Sequence, residues 1–252
     1  MKLIINADDF GMSHEVNTAI RDAFAEGLIS STTLMANMDG FDEAVAMIRG
    51  GEVKKVGIHL NLFEGIPLTE KMKADRLYCD DEGKFRFAAG HISFFAPRKI
   101  AHTIVYGELK AQIEKILAAG VVPTHLDSHG HYHSNWFVGQ TVIDLAHEFK
   151  IPFVRTSPNL HSARTLRTKV LGVLFDRRRR LGKNGLKLCD YMGNIPEVKD
   201  FVAHGDPDNI IVEMMCHPVY DRQGVLIDAE FDRPLADLLN FTRGMSLFSY
   251  AS

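Results

Sequence analysis

Residues 2–13 read KLIINADDFGMS, and how they are read decides the fold. An apolar run, Leu3-Ile4-Ile5, leads straight into two adjacent carboxylates, Asp8 and Asp9, then into Gly11 and Ser13. Beyond Ser13, a natural helix cap, Val16, Ala19, Ile20, Ala23 and Phe24 keep helical spacing, and Gly27 offers a stop. The pattern is a strand, Lys2–Ala7, feeding a helix: the first half of a βα unit. A dinucleotide-binding turn would need GxGxxG at this point, and the sequence lacks it.

The same alternation continues along the chain. Strands are expected at Thr32–Ala36, Lys55–Leu62, 121–127, 152–156, Asn209–Cys216 and, weakly, Met245–Tyr250. Helices are expected near Phe41–Ile48, Lys99–Ala119, Trp136–Phe149, through 162–205 with a Gly- and Lys-rich interruption, and at Pro234–Thr242. About seven strand–helix units suit an α/β fold of the distorted or incomplete (β/α) TIM-like barrel type better than an open doubly wound sheet. The expectation is one barrel catalytic domain over 1–252, with an irregular loop insertion at about 63–98 of the kind that covers or shapes a site.

Bulk properties narrow the function. A 46% hydrophobic chain of 252 residues buries a large core, and a net charge of -3 gives no broad basic face for nucleic acid. The basic run Arg177–Arg180, with Lys183 and Lys187, reads as a solvated helix face and is left without a role. Three cysteines without CxxC spacing argue for a reducing compartment. No leader pattern follows Met1, and no apolar run approaches the roughly 18 residues of a membrane span. A cytoplasmic protein without a membrane partner is therefore expected; a homodimer is compatible with the sequence but not readable from it.

The polar residues carry the chemistry. Side chains at the carboxyl ends of parallel strands converge on one rim of a barrel. Asp8 and Asp9 end the first strand, His59 sits near the end of the third, THLDSHGHYH follows the fourth, Arg155 ends the fifth and His217 follows the sixth. A helix-capping turn would explain an isolated Asp pair, but not ionisable groups delivered to the same rim by this many strands. One Asp and two His from separate strands suit a divalent metal with open positions. The ion's charge also makes adjacent carboxylates tolerable, one as ligand and its neighbour as a base toward water. Of His125, His129, His131 and His133, only His129 lies clearly past its strand; His131 and His133 alternate with it as outer or substrate-facing groups. A surface His tract that binds metal without catalysis is the plainer reading of this stretch, and its place after a buried strand argues against it.

Four motifs, NADDFG, GIHLNL, PTHLDSHGHYH and VEMMCHP, occur in order from residue 6 to residue 218. Together they resemble the YdjC-like carbohydrate deacetylases, of which chitooligosaccharide deacetylase is the best-known type. The family's fold is similar to the distorted (β/α) barrel of NodB-type polysaccharide deacetylases. The resemblance implies that Asp9, His59 and His129 bind a divalent cation, that Asp8 is the general base and that His217 is the general acid. The implied reaction removes an N-acetyl group from an amino sugar or short chitooligosaccharide, a small carbohydrate substrate. Asp127 is a candidate to orient a rim histidine, Arg155 to pair with Asp8 or the substrate, and His131 to face the substrate. Histidine ligands favour zinc, whereas a carboxylate with several waters suits magnesium. A metal-dependent phosphoesterase, which would need a second ion and a larger ligand set, and a non-enzymatic sugar- or metal-sensing barrel are the competing readings.

Overall fold

A computed structural model describes residues 1–86, 98–134, 136–160, 186–205 and 209–250. Its strands are β1 (Lys2–Phe10), β2 (Ser31–Leu34), β3 (Val56–Leu60), β4 (Leu126–Ser128), β5 (Tyr191–Gly193), β6 (Ile211–Cys216), β7 (Pro218–Tyr220), β8 (Leu226–Asp228), β9 (Arg233–Pro234) and β10 (Leu247–Phe248). Its α-helices are α1 (His14–Ala25), α2 (Phe41–Gly50), α3 (Glu70–Lys73), α4 (Arg98–Ala118), α5 (Trp136–Glu148), α6 (Ile195–His204) and α7 (Leu235–Leu238).

The main sheet is parallel, in the order β4-β3-β2-β1-β6-β5, with β10 also paired to β1. Isolated parallel bridges, Leu126↔Val154 and Phe153↔Lys187, carry the curl on from β4 toward the segment that leads into β5. The result is a parallel sheet rolled into a half-barrel with flanking helices, the incomplete (β/α) barrel anticipated above. β1 is central, and its residues 3–8 are buried, which is why the stretch reads as a continuous apolar run rather than an alternating one. Ser13 caps α1 by accepting from the Val16 N–H, and Gly27 ends the turn beyond it at φ +70°.

Several elements differ from expectation, each for a local reason. Strand 121–127 shrinks to Leu126–Ser128, because Pro123 brings no ladder donor. Segment 152–156, which opens on Pro152, contributes only the two bridges. Of the helical reading over 162–205, residues 161–185 lie outside the described residues, and with them Arg177–Arg180 and Lys183. The remainder holds a strand, β5, before α6, which begins with an Asn194–Glu197 capping box. The final helix is only Leu235–Leu238, followed by a 3-10 turn, Asn240–Thr242. An unanticipated antiparallel sheet, β7-β8-β9, follows β6.

Of the insertion at 63–98, residues 87–97 lie outside the described residues. Its first half is pinned down: Glu108 of α4, fully buried, accepts from the Leu68 N–H, the Thr69 N–H and the Thr69 hydroxyl. Among the described residues no helix is long and apolar enough to cross a membrane.

Candidate active site

The opening Asp pair presents a geometric problem. Adjacent side chains on a regular strand point to opposite faces, yet both carboxylates would have to reach one rim. The backbone solves it with a register shift between Ala7 and Phe10, where Asp9 adopts a left-handed conformation, φ 71°. Asp tolerates that region better than most residues, and a bulge of this kind re-aims a side chain. Gly11 follows at φ 89°, where a Cβ would come within 2.9 Å of the Met35 carbonyl oxygen.

Asp9 turns toward two histidines. Its Oδ1 lies 2.8 Å from His129 Nδ1 and 3.2 Å from His59 Nε2. One donor atom from each of Asp9, His59 and His129 falls within 4.8 Å of the others, a spacing that accommodates a single cation. Burial works against its ionised form, but the hydrogen bonds and charges of His129 and His59 outweigh it and hold the Asp9 carboxyl far below the usual range.

His59 is locked from behind. Its Nδ1 donates to Asp127 Oδ1 at 2.7 Å, and the Thr33 hydroxyl donates to Asp127 Oδ2 at 3.1 Å. With Nδ1 committed, Nε2 faces Asp9, the carboxylate–histidine arrangement that fixes tautomer and ring direction for a metal. Burial disfavours the imidazolium, but Asp127, then Asp9 and Asp8, overcome this and push its pKa up to about 10.

Asp8 faces the opposite partner, the fully buried Arg155. The guanidinium grips it through both terminal nitrogens at 2.6 Å each, while Asn6 Nδ2 donates to Asp8 Oδ1 at 2.9 Å. Arg155 also lies 2.8 Å from Asp127 Oδ2 and donates through Nε to Glu213 Oε1 at 2.8 Å. Burial raises the Asp8 pKa and Arg155 lowers it further than burial raises it, so the group stays ionised.

Four carboxylates (Asp8, Asp9, Asp127 and Glu213) thus converge on one guanidinium and two imidazoles, those of His59 and His129. The negative excess draws protons: His59 holds one up to about 10, and burial lifts Glu213 to about 7. A dication seated by Asp9, His59 and His129 would supply the missing charge, so the donor set fits the metal that the motifs imply.

His217 follows β6, and its backbone N–H is fixed by Asp228 Oδ2 at 2.8 Å. It lies near enough to Asp8 to contribute to the lowering of that carboxyl's pKa. With Asp228 and Glu230 it forms a second group of possible donors. His131, at φ 57°, is half-buried on the same rim; desolvation and Arg155 push its pKa down, and its Nδ1 has no hydrogen-bond partner among the described residues. His125 is elsewhere: fully buried, it stacks on Tyr250 at 3.8 Å between ring centroids. The Ser128 hydroxyl bonds His133 Nδ1 at 2.8 Å.

Thr33, Glu213, Tyr250 and Glu64 escaped the sequence reading. Glu64 Oε1 lies 3.8 Å from His129 Nε2, and Asn61 holds that loop by accepting from the Phe63 and Glu64 N–H groups. Residues of the NLFEG type after a strand give no metal or catalytic pattern, so only coordinates find them.

Fold and site together define a partial (β/α) barrel protein with an Asp/His/His cluster at the carboxyl ends of its strands. The chain belongs to the YdjC-like protein family, whose model matches residues 2–243. It is 34% identical to a carbohydrate deacetylase of Brevibacillus brevis, over 99% of this chain and 94% of that one. A carbohydrate deacetylase of Clostridium beijerinckii is 32% identical, over 93% and 88%. Among solved structures, a candidate cellobiose-phosphate cleavage protein of Enterococcus faecalis V583 shares the fold. Its TM-score is 0.74 at 24% identity, with 99% of this chain and 97% of that one covered.

Proposed function

We propose that the protein is a metal-dependent carbohydrate deacetylase that hydrolyses the N-acetyl group of an amino sugar or short chitooligosaccharide. The observation that carries this reading is the juxtaposition of the Asp9, His59 and His129 donors, within 4.8 Å of one another, with Asp8 beside them and gripped by Arg155. Both deacetylase relatives above support the substrate class.

Asp9, His59 and His129 would hold a zinc or magnesium ion, which supplies Lewis acidity toward an acetamide carbonyl and lowers the pKa of a water. Asp8 accepts the proton of the attacking water; Arg155 keeps it ionised and fixes its direction. His217 delivers a proton to the departing amine, which leaves poorly as an anion. Asp127 orients His59, and His131, whose buried Nδ1 has no hydrogen-bond partner among the described residues, is the candidate to face the substrate.

The phosphoesterase reading needs a second ion beside the first. The adjacent Asp8, His59 and Asp127 group has the right residue types, but both of its carboxylates are already engaged by Arg155. The test is acetate release by zinc- or magnesium-reconstituted protein from N-acetylglucosamine oligomers, with Asp8→Asn and His217→Ala alongside. Release by the wild type that falls by 10²-fold or more in each variant is expected, roughly the contribution of a general acid or base. Undiminished release in both variants would overturn the mechanism, and release from no acetylated sugar would overturn the function.

A further inference from the structure

Arg155 is anchored from outside the Asp8 site as well. Its Nε donates to Glu213, fully buried on β6. The other Glu213 oxygen accepts the hydroxyl of Tyr250, two residues beyond β10, and the Cys189 thiol donates to that hydroxyl at 3.4 Å. Tyr250 is 3% exposed, stacked on His125 at an interplanar angle of 20° and met edge-on by Phe153 at 5.4 Å. The backbone delivers both groups to the same level of the barrel: Ile4 of β1 is opposite Glu213 on one side and Phe248 of β10 on the other.

We propose that Glu213 and Tyr250 are positioning residues for the reaction, setting the guanidinium of Arg155 so that it presents both terminal nitrogens to Asp8. The segment just beyond β10 thereby helps to set the group that holds Asp8. This rests on the reading of Asp8 as the base. A guanidinium is a rigid planar fork: Asp8 and Asp127 hold its terminal nitrogens, and the bond through Nε to Glu213 holds the remaining edge, so the fork is fixed from every side. Glu213 is a costly group to bury for packing alone, since an apolar side chain would fill the space without a desolvation penalty. Its second oxygen is satisfied by a neutral hydroxyl rather than by another cation, which leaves Arg155 as the only cation bonded to it among the described residues. Buried polar groups connected in this way restrict a structure to one arrangement when every member is paired.

The decisive variant is Tyr250→Phe, which keeps the ring, and so the stacking on His125, and deletes the hydroxyl. Two readouts apply to the full chain loaded with zinc: kcat and KM for acetate release, and hydrogen exchange of the Arg155 Nε–H followed by nitrogen-15 NMR. The expectation is a kcat lowered by roughly 3- to 10-fold, the equivalent of one hydrogen bond, with KM unchanged, and faster exchange at Nε. Glu213→Gln, which keeps an acceptor for Nε, should lose less activity than Glu213→Ala. Wild-type kcat and exchange in Tyr250→Phe overturn the proposal, as does a lowered melting temperature with kcat per folded molecule unchanged. If the wild type releases no acetate, the deacetylase reading fails and the exchange measurement alone decides: faster exchange supports the anchoring, unaltered exchange refutes it.

Discussion

Metal binding should expel a proton, and the structure says from where. His59 is 1% exposed, with Nδ1 bonded to Asp127 and Nε2 facing Asp9, and its imidazolium persists up to about 10. A cation seated by Asp9, His59 and His129 needs the Nε2 lone pair, so the proton must leave as the ion enters. At pH 7.5 that displacement opposes binding by about 3 kcal/mol, from roughly 2.5 pH units at 1.36 kcal/mol each. Affinity should therefore rise close to tenfold per pH unit from neutrality toward pH 10 and flatten above it. Isothermal titration of zinc or magnesium in buffers of different ionisation enthalpy, at pH 7.5, should show about one proton released per ion. Asp127→Asn removes the charge that does most to hold the proton, so its release should fall well below one and its pH slope should shrink. A pH-independent affinity, or full proton release in Asp127→Asn, would refute the reasoning.

Without metal, the same imidazolium links stability to pH. Because the folded pKa is raised from 6.5 to about 10, its contribution is complete below pH 6.5 and lost as pH rises toward 10. Urea midpoints of metal-free protein should fall across that window, and a flat profile would contradict the assignment. Arg155→Met leaves Asp8, Asp127 and Glu213 buried without their counter-charge, so it should cost about 3–5 kcal/mol in urea unfolding; a loss below about 1 kcal/mol would show that the three carboxylates are protonated in the native state. Gly57→Ala would bring a Cβ within 2.4 Å of the His125 ring and should cost about 1–3 kcal/mol, read as a lower melting temperature. An unchanged melting temperature would mean that His125 moves freely off Tyr250.

The fold was legible where burial leaves a one-dimensional trace. β1 is buried on both faces and reads as an apolar run, and α1 carries both a cap and an amphipathic stripe. β5, by contrast, is three residues, Tyr191–Gly193, too short to show any period. The β7–β8 hairpin left a turn signature that went unread: Asp221 Oδ1 accepts from the Gln223 and Val225 N–H groups, and Gly224 sits at φ 80°. The shared rim of parallel strand ends points to one Asp and two His, and the family resemblance, not the rim, makes Asp9 rather than Asp8 the ligand beside His59 and His129. The bulge that lets Asp8 and Asp9 diverge to different partners has no sequence marker. Nor has Glu213, which looks like a polar interruption of a buried strand until Arg155, 58 residues earlier, is seen against it. Partners this distant in sequence are set by the closure of the sheet, which local pattern does not encode.

The account turns on one cation at the barrel mouth. Crystals grown with zinc and measured across the zinc absorption edge should give a single anomalous peak bounded by Asp9, His59 and His129, with Asp8 on Arg155 rather than on the ion. A peak among His217, Asp228 and Glu230 instead, or Asp9, His59 and His129 turned away from one another with no peak between them, would contradict it.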